Sequence, residues 1–252
     1  MMNVSVAHLF RRIIDAWLDV LYPPRCFGCG VSIPAIDVLC PRCVASLLPL
    51  PVDMARSDAH LSSLTFPADA RMLIVGFEHE PGGILEACIH AMKYNRLHRV
   101  GVWLGRMLGE VLYDSPILEN NPVLVPVPLH RIKRLERGYN QAEHLCRGLS
   151  AECGLEHYPR LLKRVRYTLS QSASRLDRER RRSNMIDAFT VVAHEAECCR
   201  GRPIVLVDDL ITTGSTMGEC AALLIDHGFM DIRLLALARP PGHSPQAESQ
   251  CT

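Results

Sequence analysis

The sequence predicts an α/β protein with a mostly parallel sheet flanked by helices, preceded by a small cysteine-rich knuckle. Two observations support this fold class. Short apolar runs of the strand type alternate with segments of helical period through the central part of the chain. Near the N-terminus, four cysteines fall as two closely spaced pairs, which is typical of a small metal-bound module.

The N-terminal part is predicted to contain a helix and a linker on either side of the knuckle. Residues 4–21 place apolar side chains at close to helical spacing, and Pro23 with Pro24 end the helix. We interpret it as a docking helix that covers core or partner surface, with a peripheral membrane helix as the alternative. Residues 49–70 contain prolines and little periodicity, which indicates a linker.

The elements of the α/β part follow from apolar periodicity and from the Pro and Gly residues that end each segment. The predicted order is a strand at 72–77, a helix at 81–93, a helix at 98–113, a strand at 123–128, a helix at 139–152, a strand at 204–207, a helix at 216–228 and a strand at 231–238. We therefore divide the chain into an N-terminal helix (1–22), a knuckle (23–48), a linker (49–70), an α/β domain (71–240) and a disordered tail (241–252).

The composition is that of an ordinary globular protein with one charged region. Hydrophobic residues make up 48% of the 252 residues, charged residues make up 22%, and the formal net charge is +1. Residues 130–182 nevertheless hold fourteen Lys and Arg against six Asp and Glu. A local basic region in a near-neutral chain indicates an anionic ligand rather than a generally cationic protein.

The N-terminus and the eleven cysteines indicate a reducing compartment. Charged residues interrupt the apolar residues of the N-terminus, which fits neither a secretory signal nor a membrane span of about 20 apolar residues. We therefore predict a cytoplasmic protein without a membrane span. In that compartment, paired cysteines bind metal more often than they form disulfides.

The knuckle has the spacing Cys26-x2-Cys29-x10-Cys40-x2-Cys43. Four thiolates in two close pairs are the usual ligands of tetrahedral structural zinc, and they leave no open catalytic position. An iron–sulfur cluster and unligated buried cysteines are the alternatives. Two roles stay open for the knuckle, namely clamping the N-terminus onto the body and contacting nucleic acid.

The stretch IVLVDDLITTGST at 204–216 combines two features of a ligand site. Asp208 and Asp209 stand at the carboxyl end of a buried-type strand, where ligands bind in open α/β sheets. The hydroxyls and backbone N–H groups of the following turn form an anion nest at a helix N-terminus, and Gly214 lets the backbone approach closely. Carboxylates accept hydrogen bonds from sugar hydroxyls, and the N–H groups of the nest donate hydrogen bonds to a phosphate. The stretch therefore predicts a binding site for a ribose 5-phosphate group. An ordinary N-capped helix is the alternative, but a cap needs one hydroxyl.

This stretch resembles the phosphoribosyl pyrophosphate (PRPP) signature of type I phosphoribosyltransferases. The wider sequence resembles one family, the ComF-type competence proteins, also called amidophosphoribosyltransferase-like. The blocks that carry the resemblance are the knuckle preceded by LYPPRC, AMKYN at 91–95, VPVPLHRIKRLERGYNQAEHL at 125–145, and the signature at 204–216 with the strand that ends at Arg239. Together they cover most of residues 20–240, and their order is more specific than the signature alone.

The resemblance implies a type I phosphoribosyltransferase fold and a role for each matching residue. Asp208 and Asp209 would hold the ribose hydroxyls and stabilise positive charge on the ribose. The implied cradle of the 5′-phosphate is Thr212, Thr213, Gly214, Ser215 and Thr216. PRPP would arrive with Mg²⁺, which prefers substrate phosphates to all-protein cages. Arg137 and Gly138, in a predicted pyrophosphate loop from 129 to 141, would bind the pyrophosphate; for Arg137 a solvated helix face is the alternative.

Two further regions match the family more loosely. Residues 168–184 would form a mobile catalytic loop, with Gln171, Arg181 and Asn184 as the matching residues and a basic surface helix as the alternative. Lys93, in the AMKYN block, would reach the active site. The vicinal pair Cys198–Cys199 falls in a predicted loop and receives no role. Three histidines are interpreted as ordinary polar residues: His90, His130 and His144.

The implied activity is transfer of the phosphoribosyl group from Mg-PRPP to a nitrogen acceptor with release of pyrophosphate. The acceptor and the oligomeric state stay open. The alternative is a non-catalytic protein of DNA uptake that senses PRPP or handles single-stranded DNA, with DNA-uptake proteins as partners. Aromatic residues make up only 6% of the chain and few lie among the arginines, which favours the enzyme over base stacking.

Overall fold

The computed structural model describes residues 23–50, 70–94, 97–129, 131–165 and 188–240. The predicted N-terminal helix, most of the predicted linker, the predicted loop at 168–184, His130 and the tail lie outside the described residues. No helix in the described ranges is both long enough and apolar enough to cross a membrane.

Strands and helices alternate along the described chain. The strands are β1 (Ala70–Glu78), β2 (Val123–Pro126), β3 (Leu162–Val165), β4 (Ala188–Val191), β5 (Ile204–Leu210) and β6 (Ile232–Arg239). The α-helices are α1 (Pro41–Ala45), α2 (Ile84–Tyr94), α3 (His98–Val111), α4 (Arg131–Arg137), α5 (Gln141–Cys153), α6 (Ala193–Cys199) and α7 (Ser215–Asp226). A short 3₁₀ turn, Pro116–Leu118, precedes β2.

Four strands form the central parallel sheet in the order β1-β6-β5-β2. Because all four run in one direction, their carboxyl ends meet at one edge of the sheet. β3 and β4 form a separate antiparallel pair, with Leu162 opposite Val191. The predicted α/β class with a parallel sheet is confirmed.

Helices cover both faces of the sheet, and β5 alternates between them. Val205 and Val207 face one core with α2, α3 and α5. Ile204 and Leu206 face the other core with α7. This alternation follows from the two-residue period of a strand. On the first face, α3 and α5 come close, since an added Cβ at Gly105 would lie only 2.2 Å from a carbonyl oxygen of α5.

The knuckle packs on the first core rather than standing apart from it. Val38 and Leu39 are buried in the same apolar cluster as Cys88 and Ile89 of α2. An added Cβ at Gly28 would lie 3.2 Å from the side chain that begins α2, so the backbone approaches that helix closely. The knuckle therefore packs against α2 and contributes to the core that holds this helix.

Several elements differ from the sequence interpretation. β5 continues to Leu210, so both acids belong to the strand. A helix, Arg131–Arg137, occupies most of the predicted loop at 129–141, since its residues are good helix formers. Cys198 and Cys199 end helix α6 rather than lying in a loop. The β3–β4 pair was not predicted.

A histidine pair joins α3 to α5, and the burial of one member, His144, predicts a pH-dependent stability. His98 Nδ1 and His144 Nε2 lie 3.1 Å apart. Burial, with a smaller contribution from His98, lowers the pKa of His144 from 6.5 to about 4. The unfolded chain therefore binds this proton first, so the stability is complete above about pH 6.5 and is lost as the pH falls towards 4.

We expect the His144→Gln variant to lose less of its free energy of unfolding as the pH falls. Between pH 7 and pH 4.5 the wild-type free energy of unfolding should fall by on the order of 2 kcal/mol more than that of the variant. Urea unfolding at the two pH values measures the difference. His227→Gln, at an exposed histidine, is the matched control and should behave as the wild type does. Equal pH dependence in the wild type and His144→Gln would contradict the assignment.

Candidate ligand-binding site

The two adjacent acids point to opposite faces of the sheet. Asp208 continues the Ile204 and Leu206 face towards α7, and Asp209 continues the opposite face. The backbone N–H of Asp209 donates to Asp208 Oδ1 at 2.8 Å. Burial, together with the neighbouring Asp209 charge, raises the pKa of the Asp208 carboxyl well above its usual range. The strand end therefore holds one carboxylate whose charge is costly, a feature that clusters at functional sites.

The turn after β5 forms a small polar cavity with Asp208. The cavity has a volume of about 90 Å³ and is lined by Asp208 and by residues 210–217. Gly214 adopts φ 72°, the left-handed region that favours glycine, directly before α7. No side chain caps α7, and the hydroxyls of Thr213 and Ser215 lie 3.1 Å apart. The Ser215 N–H donates to Thr213 Oγ1 at 3.5 Å. The cavity thus joins a carboxylate to a helix N-terminus, where the N–H groups of the first turn have no intrahelical partner.

Lys93 lies on the other side of the strand end, next to Asp209. Its Nζ is 2.9 Å from Asp209 Oδ2, and the two side chains are only 16% and 15% exposed. Lys93 stands in the last turn of α2, which the first core holds against the sheet. The ammonium compensates the charge of Asp209, which would otherwise add to that of Asp208.

The ERGYNQ block meets the end of α2. Gly138 has φ 82° and lets the chain leave α4, after which Asn140 caps α5. The Arg137 guanidinium lies over the Tyr94 ring, 5.7 Å from its centroid. Tyr139 is buried, and its hydroxyl donates to the carbonyl oxygen of Met92. Arg137 is therefore next to the helix that carries Lys93, and Gly138 serves the turn between α4 and α5.

A basic cleft of about 710 Å³ opens after β2. Pro128 and Leu129 line it together with one acid, Glu143. The basic residues that line it are Arg134, Arg147, Arg160, Lys163 and Arg164. The N–H of Val127, the residue before Pro128, donates at 2.9 Å to the carbonyl of Val207, the residue before Asp208. One wall of the cleft and the acids therefore follow neighbouring, hydrogen-bonded strand positions. An anion with several charges fits such a cleft next to the acids.

The four knuckle cysteines converge on one point. Their Sγ atoms all lie within 4.8 Å of one another, and those of Cys29 and Cys40 are 3.6 Å apart. Tetrahedral zinc with Zn–S bonds of about 2.3 Å separates its sulfurs by about 3.8 Å, so Cys26, Cys29, Cys40 and Cys43 fit this ion. Burial opposes ionisation of Cys26, but backbone N–H groups, that of Cys40 first, lower the pKa of its thiol to about 6.

The N-terminal segment also matches a known protein-family model. Residues 17–54 match the double zinc ribbon domain. The cysteines of the matched segment are Cys26, Cys29, Cys40 and Cys43, enough for one zinc ion. Structural zinc in the knuckle is thus supported by the sequence family and by the geometry.

The relatives of the whole chain decide its family. It is 33% identical over 180 residues to Competence protein F of Haemophilus influenzae, an alignment that spans 69% of this chain and 74% of that protein. The chain belongs to the ComF-type family of competence proteins. The sequence resemblance to this family of competence proteins is therefore confirmed.

Other ComF-type relatives carry names that refer to DNA or competence. The chain is 29% identical over 220 residues to DNA utilization protein YhgH of Escherichia coli O157:H7, across 85% of this chain and 89% of that protein. It is 36% identical over 108 residues to Competence protein ComFC of Bacillus subtilis, across 42% of this chain and 39% of that protein.

The structure adds residues to the candidate site that the sequence did not single out. Tyr139 lies in the ERGYNQ block. The sequence feature that could have indicated it is an aromatic residue between a glycine and a helix cap. Arg147 and Lys163 join the basic cleft from α5 and β3. The loop residues Gln171, Arg181 and Asn184 lie outside the described residues, and their roles stay predictions.

Proposed function

We propose that this protein binds Mg-PRPP at the end of β5 and transfers its phosphoribosyl group to a nitrogen acceptor, releasing pyrophosphate. One observation carries the proposal. Asp208 and the turn of residues 212–216 line the same cavity, so a carboxylate and an anion nest act on one ligand. A sugar phosphate has the matching groups, which are hydroxyls that donate and a phosphate that accepts.

The residues around the cavity support separate binding positions for the phosphate, the ribose and the pyrophosphate of PRPP. The nest takes the 5′-phosphate, and the carboxylates of Asp208 and Asp209 accept from ribose hydroxyls at the strand end. The basic cleft after β2 is adjacent and takes the pyrophosphate, with Arg137 and Gly138 at the turn beyond it. Lys93 lowers the negative charge that the polyanion meets on approach.

The chemistry is a displacement at the anomeric carbon. A nitrogen nucleophile forms a bond to that carbon as the bond to pyrophosphate breaks, and positive charge develops on the ribose. The carboxylates at the end of β5 would stabilise this charge, while the basic residues hold the leaving group. Mg²⁺ bound to PRPP would supply further neutralisation of the pyrophosphate.

We propose a cytoplasmic location, since the thiolates of the zinc site need a reducing compartment.

A second candidate function has its own support. The basic cleft is large enough for more than a pyrophosphate, and the names of the relatives refer to competence and DNA utilization. A non-catalytic protein that handles single-stranded DNA and senses PRPP would use the same cleft for the DNA backbone. Both candidates need the cavity at the end of β5, because each binds PRPP there. The scarcity of aromatic residues, which make up 6% of the chain, favours the enzyme over a protein that stacks DNA bases.

One experiment separates the two candidates. The purified protein is incubated with Mg-PRPP and a panel of nucleobases and amines while pyrophosphate release is measured, and retention of labelled single-stranded DNA is measured in parallel. The enzyme predicts acceptor-dependent pyrophosphate release. DNA retention without any acceptor-dependent release would favour the second candidate.

A further inference from the structure

Tyr139 links the ERGYNQ block to the helix that carries Lys93. Its buried ring packs against two histidines, with the His98 centroid at 4.2 Å and the His144 centroid at 5.0 Å, both edge-on. The two histidines are themselves paired, so the ring has little freedom to move. Its hydroxyl donates to the carbonyl oxygen of Met92. The tyrosine thus ties the turn before α5 to the last turn of α2.

The next residue along α2 is Lys93, whose Nζ lies 2.9 Å from Asp209 Oδ2. A lysine side chain has many rotamers, and ordering it costs conformational entropy. The end of a helix also frays unless something holds its carbonyl groups. The Tyr139 hydroxyl holds one of them at Met92, directly before Lys93.

The ion pair matters for an anionic ligand. Negative charge at a strand end repels a polyanion, and the Lys93 ammonium offsets the charge of Asp209. Lys93 has its effect only while Nζ stays at Asp209, because the interaction weakens with distance.

We infer that Tyr139 is a positioning residue that keeps Lys93 against Asp209 and so prepares the strand end for an anionic ligand. The positioning stands on the described contacts alone. Its consequence for ligand affinity rests on the proposed function. Tyr139 acts through Lys93 and is not itself assigned to the reacting atoms.

The first test measures Lys93 without any ligand. The chain has three lysines, Lys93, Lys133 and Lys163, so acetic anhydride labelling followed by mass spectrometry resolves each of them. In the wild type we expect Lys93 to be labelled more slowly than the exposed Lys163 of the same sample. In Tyr139→Phe, which keeps the ring, the Lys93 to Lys163 ratio should rise about three- to tenfold, the equivalent of one hydrogen bond.

A matched control tests whether the loss of a tyrosine hydroxyl elsewhere also changes the labelling ratio. Tyr158→Phe also removes one hydroxyl hydrogen bond, to Glu156, on another surface, and should leave the labelling ratio unchanged. An unchanged ratio in Tyr139→Phe would overturn the inference, as would an equal rise in both variants.

The second test measures coupling through Mg-PRPP affinity by calorimetry. Tyr139→Phe and Lys93→Met should each weaken binding about three- to tenfold, and the double variant should be no weaker than Lys93→Met. Additive losses would contradict action through Lys93. A wild type that binds no Mg-PRPP would contradict the proposed function, while the labelling ratio would still decide the positioning.

Discussion

Replacing Cys43 by serine is expected to abolish zinc binding and to lower the melting temperature by roughly 6–12 °C. A hydroxyl is a poor substitute for a thiolate, and four sulfurs complete the tetrahedron. Zinc binding and folding of the knuckle are one equilibrium, so losing a ligand loses both. A cost of about 3 kcal/mol, spread over a domain of this size, gives the stated shift.

The effect should spread beyond the knuckle because its apolar residues belong to the core that holds α2. Val38 and Leu39 pack in the same cluster as Cys88 of that helix. We therefore expect hydrogen exchange to rise along α2 as well as in the knuckle. The measurements are zinc content by metal analysis and thermal unfolding.

The matched control is Cys198→Ser, the same substitution at an exposed cysteine of α6. It should keep one zinc per chain and the wild-type melting temperature. A Cys43→Ser protein with full zinc content and unchanged melting would contradict the zinc assignment.

The central sheet could be predicted from the sequence because each of its strands is a short apolar run that fits no other element. The apolar runs at 72–77, 123–128, 204–207 and 231–238 each fall on a strand of the structure, with ends shifted by a few residues. Such runs are buried on both faces, and no competing period obscures them. Gly228, with φ 85°, ends α7 as a glycine after a helix commonly does.

The elements that were missed are short and depend on distant partners. β3 and β4 have four residues each, and each is stabilised by the other across a long separation in sequence. Helix α4 has only seven residues, and the family resemblance favoured a loop there. Short polar elements of this kind are set by tertiary contacts, which a local pattern does not contain.

The site was predicted in its composition but not in its geometry. The two acids were expected at one point after the strand, whereas β5 continues through them and turns them to opposite faces. The contact of Lys93 with Asp209 required the packing of α2 on the sheet. The partner of Tyr139 is a backbone carbonyl, which leaves no signal in the sequence.

Replacing Asp208 and Asp209 together by asparagine is expected to weaken Mg-PRPP binding by about 100-fold or more. Each carboxylate would accept a charge-assisted hydrogen bond from ribose, at about 1.5 kcal/mol or more apiece. Asparagine keeps the side-chain volume, and it removes a charge that burial makes costly at Asp208. The double variant should therefore stay folded and keep its zinc.

The control carries the same change of charge away from the site. Asp114 and Asp226 are both exposed, one after α3 and one at the end of α7. The variant with Asp114→Asn and Asp226→Asn should bind Mg-PRPP as the wild type does. A loss in this control would mean that net charge, rather than the end of β5, governs affinity.

Calorimetric titration of the wild type and the Asp208→Asn, Asp209→Asn variant with Mg-PRPP tests the central claim most directly. We predict one binding site per chain in the wild type and an affinity at least about 100-fold lower in the variant, with unchanged thermal unfolding. Equal affinities in the two proteins, or no binding by the zinc-loaded wild type, would contradict a PRPP site at the end of β5.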